Sequence, residues 1–416
     1  MNTLSVKMND FITYIGVNDR LTPLFENQWP LPKGVAYNSY LLTDEKTALM
    51  DGVHVMESEL LIQKLEEALG GRNLDYFVVH HVEPDHSGAI SLIRRLYPNV
   101  QFVGNKKTFE FLENFFGLVI EDPIVVKEGD ELNLGKHSLK FFMTPMVHWP
   151  ESMVSYDAVS GTLFSQDIFG GFGSLDGMLF DDEVRDLEEV GNEAVRYYVN
   201  IVGKYSKMAQ GALKKLGGLD IRMICPVHGP IWRTHPEKIL QLYQDMTAWK
   251  SQNGVVIAYG TMYGNTERMV DFLARELAAD GIQDIRIYNV SKTDLSVISS
   301  EAWKYRGLLL GSPTYNNALF PPMMSLLNIL DENKMQNKTV GIFGNYSWSG
   351  GGVKELSAWA ETQKFERVEP IVEARSGIKK TDYEGLRELA GAMSENLKTH
   401  EQEDQFPFYS LEKGRK

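Results

Sequence analysis

The chain has 416 residues, 43% of them hydrophobic and 24% charged, with a net charge of −14 and a single cysteine, Cys225. This length suits two or three globular domains, and the acidic balance argues against nucleic acid as the main partner. One cysteine excludes an internal disulfide or a cysteine-ligated cluster within the chain, which fits a reducing cytoplasm.

No basic segment leads into an apolar one at the N-terminus, so no secretion signal is expected. No apolar run approaches the roughly eighteen residues of a membrane span. Up to about residue 245 the pattern is one of short strands with turn residues between them, then helices. Residues 39–42 and 47–50 read as paired strands. Residues 58–69 carry the 3.6 periodicity of a helix, stopped by Gly70-Gly71. Residues 74–79 read as a buried strand, and the next seven residues are the most informative in the chain. His80-His81-Val82-Glu83-Pro84-Asp85-His86 packs three histidines and two carboxylates into one loop. Donors at 81, 83, 85 and 86 can face one point, as a metal requires; a salt-bridged turn is the plainer alternative. Glu83 stands where a zinc-type loop would have a second histidine. A carboxylate there makes the site harder and shifts preference towards iron or manganese, and it suits a dinuclear centre.

Further strands are expected at 100–103, 139–142 and 162–165. His148 follows an apolar strand, as do Asp167 and His228. Each alone is weak evidence, but together with the loop they make four histidines and three carboxylates. Asp167 is placed to bridge. Trp149 and Tyr197 are candidate supporting groups, with core packing as the competing role. Cys225 reads as a buried strand residue, and His80 as a hydrogen-bonded buried histidine on the face opposite His81.

A helical connector over about 236–252 ends at Ser251-Gln252-Asn253-Gly254, and the pattern then becomes strict α/β alternation. Strands are expected at 255–259, 284–288, 307–310, 339–343 and 367–372, separated by helices. That order implies a parallel, doubly wound sheet. After the first of these strands come Gly260, Thr261, Met262, Tyr263, Gly264, Asn265 and Thr266, then a helix over 267–278. Such a turn cradles phosphate on backbone N–H groups and the helix dipole. It lacks the lysine of a GxxxxGK[ST] loop and the spacing of a dinucleotide site, so a single terminal phosphate such as that of FMN fits it. Ser312, Pro313, Thr314, Tyr315, Asn316 and Asn317 follow the third strand. Asn345, Tyr346, Ser347, Trp348, Ser349, Gly350 and Gly351 follow the fourth. Ligands of such sheets lie beyond the carboxyl ends of the strands, and Tyr315 and Trp348 are placed to pack on an isoalloxazine ring. The expected divisions are residues 1–250, 251–400 and a loosely held tail at 401–416.

The ordered set His81, Glu83, Asp85, His86, His148, Asp167 and His228, followed by three flavodoxin-type loops, resembles the flavodiiron proteins, or A-type flavoproteins. The resemblance covers nearly the whole chain. It implies an N-terminal metallo-β-lactamase-like αββα sandwich followed by a flavodoxin-like doubly wound parallel sheet. It implies one iron held by His81, Glu83 and His148, a second by Asp85, His86 and His228, and Asp167 bridging them. It implies FMN as the electron relay, O2 or NO as substrate, and a head-to-tail homodimer or dimer of dimers bringing each flavin to the partner's irons. No CxxC pair is present, so a separate donor, rubredoxin-like or another reductase, is expected. Two rival readings are a zinc hydrolase fused to a flavodoxin and a pure electron carrier. Glu83 weighs against the first and the complete ligand set against the second.

Overall fold

The computed structural model describes residues 4–400; the tail expected over 401–416 lies outside them. One compact unit runs to Tyr198 and resumes over Tyr205–Gln244. The other takes Val199–Lys204 and the described residues from Asp245 onward. Among the described residues no helix is long and apolar enough to cross a membrane.

The first unit is built on two sheets. A seven-stranded sheet runs in the spatial order Val6–Lys7, Ile12–Tyr14, Tyr40–Thr43, Thr47–Met50, Tyr76–Val78, Gln101–Gly104 and Ile124–Val125. A five-stranded sheet runs Glu131–Asn133, Ser138–Met143, Met153–Asp157, Thr162–Gln166 and Met223–Pro226. The expected hairpin forms: Tyr40–Thr43 pairs antiparallel with Thr47–Met50. Alternate residues of each strand point into a shared core, as the two-residue period of a strand dictates. Ile12, Tyr40, Leu42, Met50 and Val78 from one sheet meet Leu139, Phe141, Phe164 and Cys225 from the other. The Ser58–Leu69 helix buries Leu61, Ile62, Leu65 and Leu69 along one stripe. Gly70 ends it in the left-handed region (φ 56°), where its N–H caps the Glu66 carbonyl.

The second unit is a parallel sheet in the order Ile285–Asn289, Gln252–Tyr259, Tyr305–Tyr315, Thr339–Tyr346 and Glu366–Arg367, with Val372–Arg375 also paired to Thr339–Tyr346. In chain order this is 2-1-3-4-5, with a switch point between the first and third strands. Three expectations need correction. The helical connector expected to end at 251–254 stops at Thr247, and the first strand already starts at Gln252, which pairs with Tyr305. The loops after the third and fourth strands begin later than expected, because Gly311–Tyr315 and Gly344–Tyr346 are still strand. The strand read over 367–372 is two pieces, and Pro370, which has no N–H to give the ladder, lies in the gap. His400, the last residue of the expected second division, accepts a hydrogen bond from Arg306 at 3.0 Å.

Candidate metal centre and flavin cleft

All seven candidate ligands of the first unit come together at one edge of the two sheets. His81, Glu83, Asp85 and His86 follow the Tyr76–Val78 strand. Pro84 starts a single helical turn, Pro84–Ser87, that turns Asp85 and His86 inward. In the five-stranded sheet His148 follows Ser138–Met143, and Asp167 and His228 follow the adjacent strands Thr162–Gln166 and Met223–Pro226. The turns around them are strained but tied. Met146, Gln166 and Phe169 are non-glycine residues in the left-handed region, at φ 64°, 47° and 71°. The Gln166 amide bonds the Val147 carbonyl at 2.7 Å and accepts from the Asp167 N–H at 2.6 Å, so one side chain fixes two of the loops that carry candidate ligands.

Asp167 is central. Its Oδ2 lies 3.5 Å from Nε2 of His81, 3.6 Å from that of His86 and 3.7 Å from that of His148; its Oδ1 lies 3.4 Å from Nε2 of His228. Glu83 Oε2 is 2.8 Å from His148 Nε2 and 3.3 Å from His81 Nε2. Asp85 faces His228 at 3.1 Å and His86 at 3.6 Å. Both oxygens of Asp85, both nitrogens of His86, Asp167 Oδ2 and His228 Nε2 are buried without a hydrogen bond. Native proteins seldom leave so many buried polar atoms unsatisfied, and a coordinated cation satisfies them.

The surroundings set the tautomers. His81 Nδ1 donates to Glu151 Oε1 at 2.6 Å and His228 Nδ1 donates to the Ala36 carbonyl at 2.8 Å. Each ring, when neutral, would therefore carry its lone pair on the inward-facing Nε2, as a metal requires. Burial opposes charge on every group here. The Glu151 and Glu83 hydrogen bonds and the Asp167 charge outweigh it at His81, whose pKa is raised well above its ordinary value. The charge of the nearby imidazoles, His86 foremost, likewise holds the buried Asp167 carboxyl well below the usual range. Tyr197 donates to Asp167 Oδ1 at 2.8 Å, and burial with the nearby carboxylates pushes its phenol far up, so that proton stays. Trp149 packs its ring edge-on to His81 at 5.0 Å. His80 has the separate role expected of it, between Asp51 at 2.7 Å and Ser155 at 2.8 Å.

Glu151 was missed in the sequence, although it is the only carboxylate in the His148-Trp149-Pro150-Glu151 turn. Besides His81 it accepts the Val82 N–H at 3.0 Å. Glu151→Ala should lower iron affinity by about 10–100-fold while FMN stays bound. Iron retained after dialysis against a chelator, measured beside flavin absorbance, checks this.

In the second unit most of the flavin candidates line one cleft of about 270 Å³. Gly264, Ser312, Gly350 and Gly351 stand outside its lining. Ser312 is buried with its hydroxyl on the Pro313 carbonyl, at 2.9 Å. Gly264, at φ 87°, precedes the Asn265–Ala279 helix, whose N-terminus carries no side-chain cap. Those first-turn N–H groups are free to hold a phosphate beside the cleft. Asn345 donates to the Thr266 hydroxyl at 2.8 Å, joining the first loop to the third. Tyr263 and Trp348 are 91% and 83% exposed, two aromatic faces beside the cleft with little protein over them.

Residues 35–229 match the ODP family beta lactamase model, and residues 257–389 match flavodoxin. The chain is 34% identical to a nitric oxide reductase of Moorella thermoacetica over 366 residues, 87% of this chain and 91% of that protein. The rubredoxin oxygen:oxidoreductase structure from Desulfovibrio gigas superposes with a TM-score of 0.90 at 30% identity, over 95% of this chain and 99% of that one. A variant of the flavo di-iron protein of Thermotoga maritima superposes with a TM-score of 0.87 at 26% identity, covering 94% and 98%.

The chain belongs to the flavodiiron family.

It is therefore a flavodiiron oxidoreductase rather than a zinc hydrolase carrying a flavodoxin. The flavodiiron family implies FMN and a non-haem diiron centre. The donors present fit both: seven histidine and carboxylate side chains around Asp167, and an uncapped helix N-terminus beside an aromatic-flanked cleft.

Proposed function

We propose that this flavodiiron protein reduces O2 to water, NO to N2O, or both, with electrons from an external donor of the rubredoxin or reductase type. When bound, FMN supplies stored electrons and the carboxylate-rich diiron pair supplies the reducing site. One iron is assigned to His81, Glu83 and His148, the other to Asp85, His86 and His228, with Asp167 between them. The observation that carries this is Asp167 Oδ2, which faces imidazoles of both sets within 3.5–3.7 Å.

The chain's own residues do the rest. Glu151 and the Ala36 carbonyl hold two imidazoles in the liganding tautomer. Tyr197 keeps its proton on Asp167 and so orients the bridge; Trp149 covers His81 and excludes water. Both are positioning residues. The cleft lined by Thr261, Met262, Tyr263, Asn265 and Thr266, with the two later loops, holds FMN. The protein works in the cytoplasm, apart from membranes and nucleic acid, as a head-to-tail homodimer or a dimer of such dimers. The exposed Tyr263 and Trp348 support that assembly, since a second copy would cover them.

The test is metal and flavin analysis of the purified protein, then anaerobic mixing of the reduced enzyme with O2 or NO. Iron and FMN with turnover of either gas are expected. Zinc in place of iron, or neither gas consumed, would overturn the reading.

A further inference from the structure

One carboxylate reaches this centre from outside the seven. Leu24–Phe25 and Trp29–Pro30 form a small hairpin, pairing Leu24 with Pro30 and Phe25 with Trp29. In the turn between them Glu26 and Asn27 both adopt left-handed backbone, at φ 49° and 53°. Such turns favour Asn-Gly, and a glutamate at the first position is an uncommon choice. The hairpin is pinned beside the metal centre. The buried Phe25 ring lies 5.4 Å from His228, 5.4 Å from Phe172 and 6.0 Å from Tyr197.

With Phe25 fixed, the next side chain points at the ligands. An oxygen of Glu26, an oxygen of Glu83 and a nitrogen of His148 all lie within 4.8 Å of one another. Three donors this close can face one cation, and Glu83 and His148 already stand 2.8 Å apart. Glu26 makes no ion pair with lysine or arginine among the described residues. Two carboxylates side by side need a shared cation or a proton to offset their repulsion. Glu26 itself is exposed, so nothing packs it permanently in place.

We propose that Glu26 is a further, displaceable ligand to the metal held by His81, Glu83 and His148, and competes there with small exogenous ligands. This rests on the ligand assignment above. The carboxylate moves on and off one coordination position without any redox change.

The test uses iron-loaded holoprotein, wild type against Glu26→Ala and Glu26→Gln, with azide as the probe ligand. Azide binding is titrated by visible absorption, and iron loss to a chelator is followed in parallel. Azide should bind at least about tenfold tighter to both variants, and iron should leave them faster. Glu26→Gln keeps the size and the hairpin, so it serves if the alanine variant folds poorly. Unchanged azide affinity in the glutamine variant overturns the proposal, whatever happens to iron release. Glu83→Ala separates the two ideas. If it loses iron while Glu26→Gln binds azide as wild type does, only the role of Glu26 fails. If it keeps both irons, the ligand assignment fails, and this inference with it.

Discussion

Glu83→His should strip iron from the centre and lower O2 and NO reduction by more than about 100-fold, while FMN stays bound. The estimate is a floor, because removing an outer partner of a ligand already costs 10–100-fold in metal affinity. Glu83 Oε2 sits 2.8 Å from His148 Nε2 and 3.3 Å from His81 Nε2, among donors assigned to one iron. Histidine there removes a negative charge from a buried site and replaces a hard oxygen with a softer imidazole. The loop then has the composition that suits zinc. Metal analysis beside flavin absorbance and gas turnover decides the outcome. Unchanged iron and unchanged activity would sink the ligand assignment.

A mixture of two dead variants should recover activity. His148→Ala removes a donor from one metal position and leaves the flavin cleft intact. Asn265→Asp or Thr266→Asp puts a negative charge at the helix N-terminus that would hold the phosphate, and leaves the metal centre intact. Each variant alone lacks one cofactor and should be inactive. In a head-to-tail pair, one side of a mixed dimer brings together the intact flavin of one chain and the intact irons of the other. Subunit exchange should therefore raise activity from background towards the share expected for mixed dimers. No recovery, with exchange confirmed by tagged subunits, would show that electrons pass within one chain.

The two kinds of site differed in how plainly the sequence spelled them. The His81–His86 run was legible because ligands clustered in one loop have no good alternative as core or solvated surface. His148, Asp167 and His228 were legible only as a set, since a lone polar residue at a strand end is commonplace. Glu151 and Gln166 escaped because their work is done on partners fixed by tertiary structure: one on His81, the other between two ligand turns. Glu26 escaped for a different reason. Its reach depends on a hairpin pinned by Phe25, a contact of high sequence separation with His228. In the second unit, strand ends were misjudged where Gly and Asn favoured a loop by local propensity. Pairing with a neighbouring strand overrode that propensity at Gly311–Tyr315 and Gly344–Tyr346. The split at Pro370 was readable from the proline alone.

The metal centre also has a place in the life of the chain as it is made. Four of its donors leave one sheet early in the sequence, and the last, His228, leaves the final strand of the other sheet. Domains fold largely as units as they emerge from the ribosome, N-terminal first. During synthesis the His81–His86 loop is exposed long before Asp167 and His228 exist to complete it. The full set of seven candidate donors is thus complete only once the Met223–Pro226 strand has been made, and a metal meeting the loop earlier would find at most part of that set.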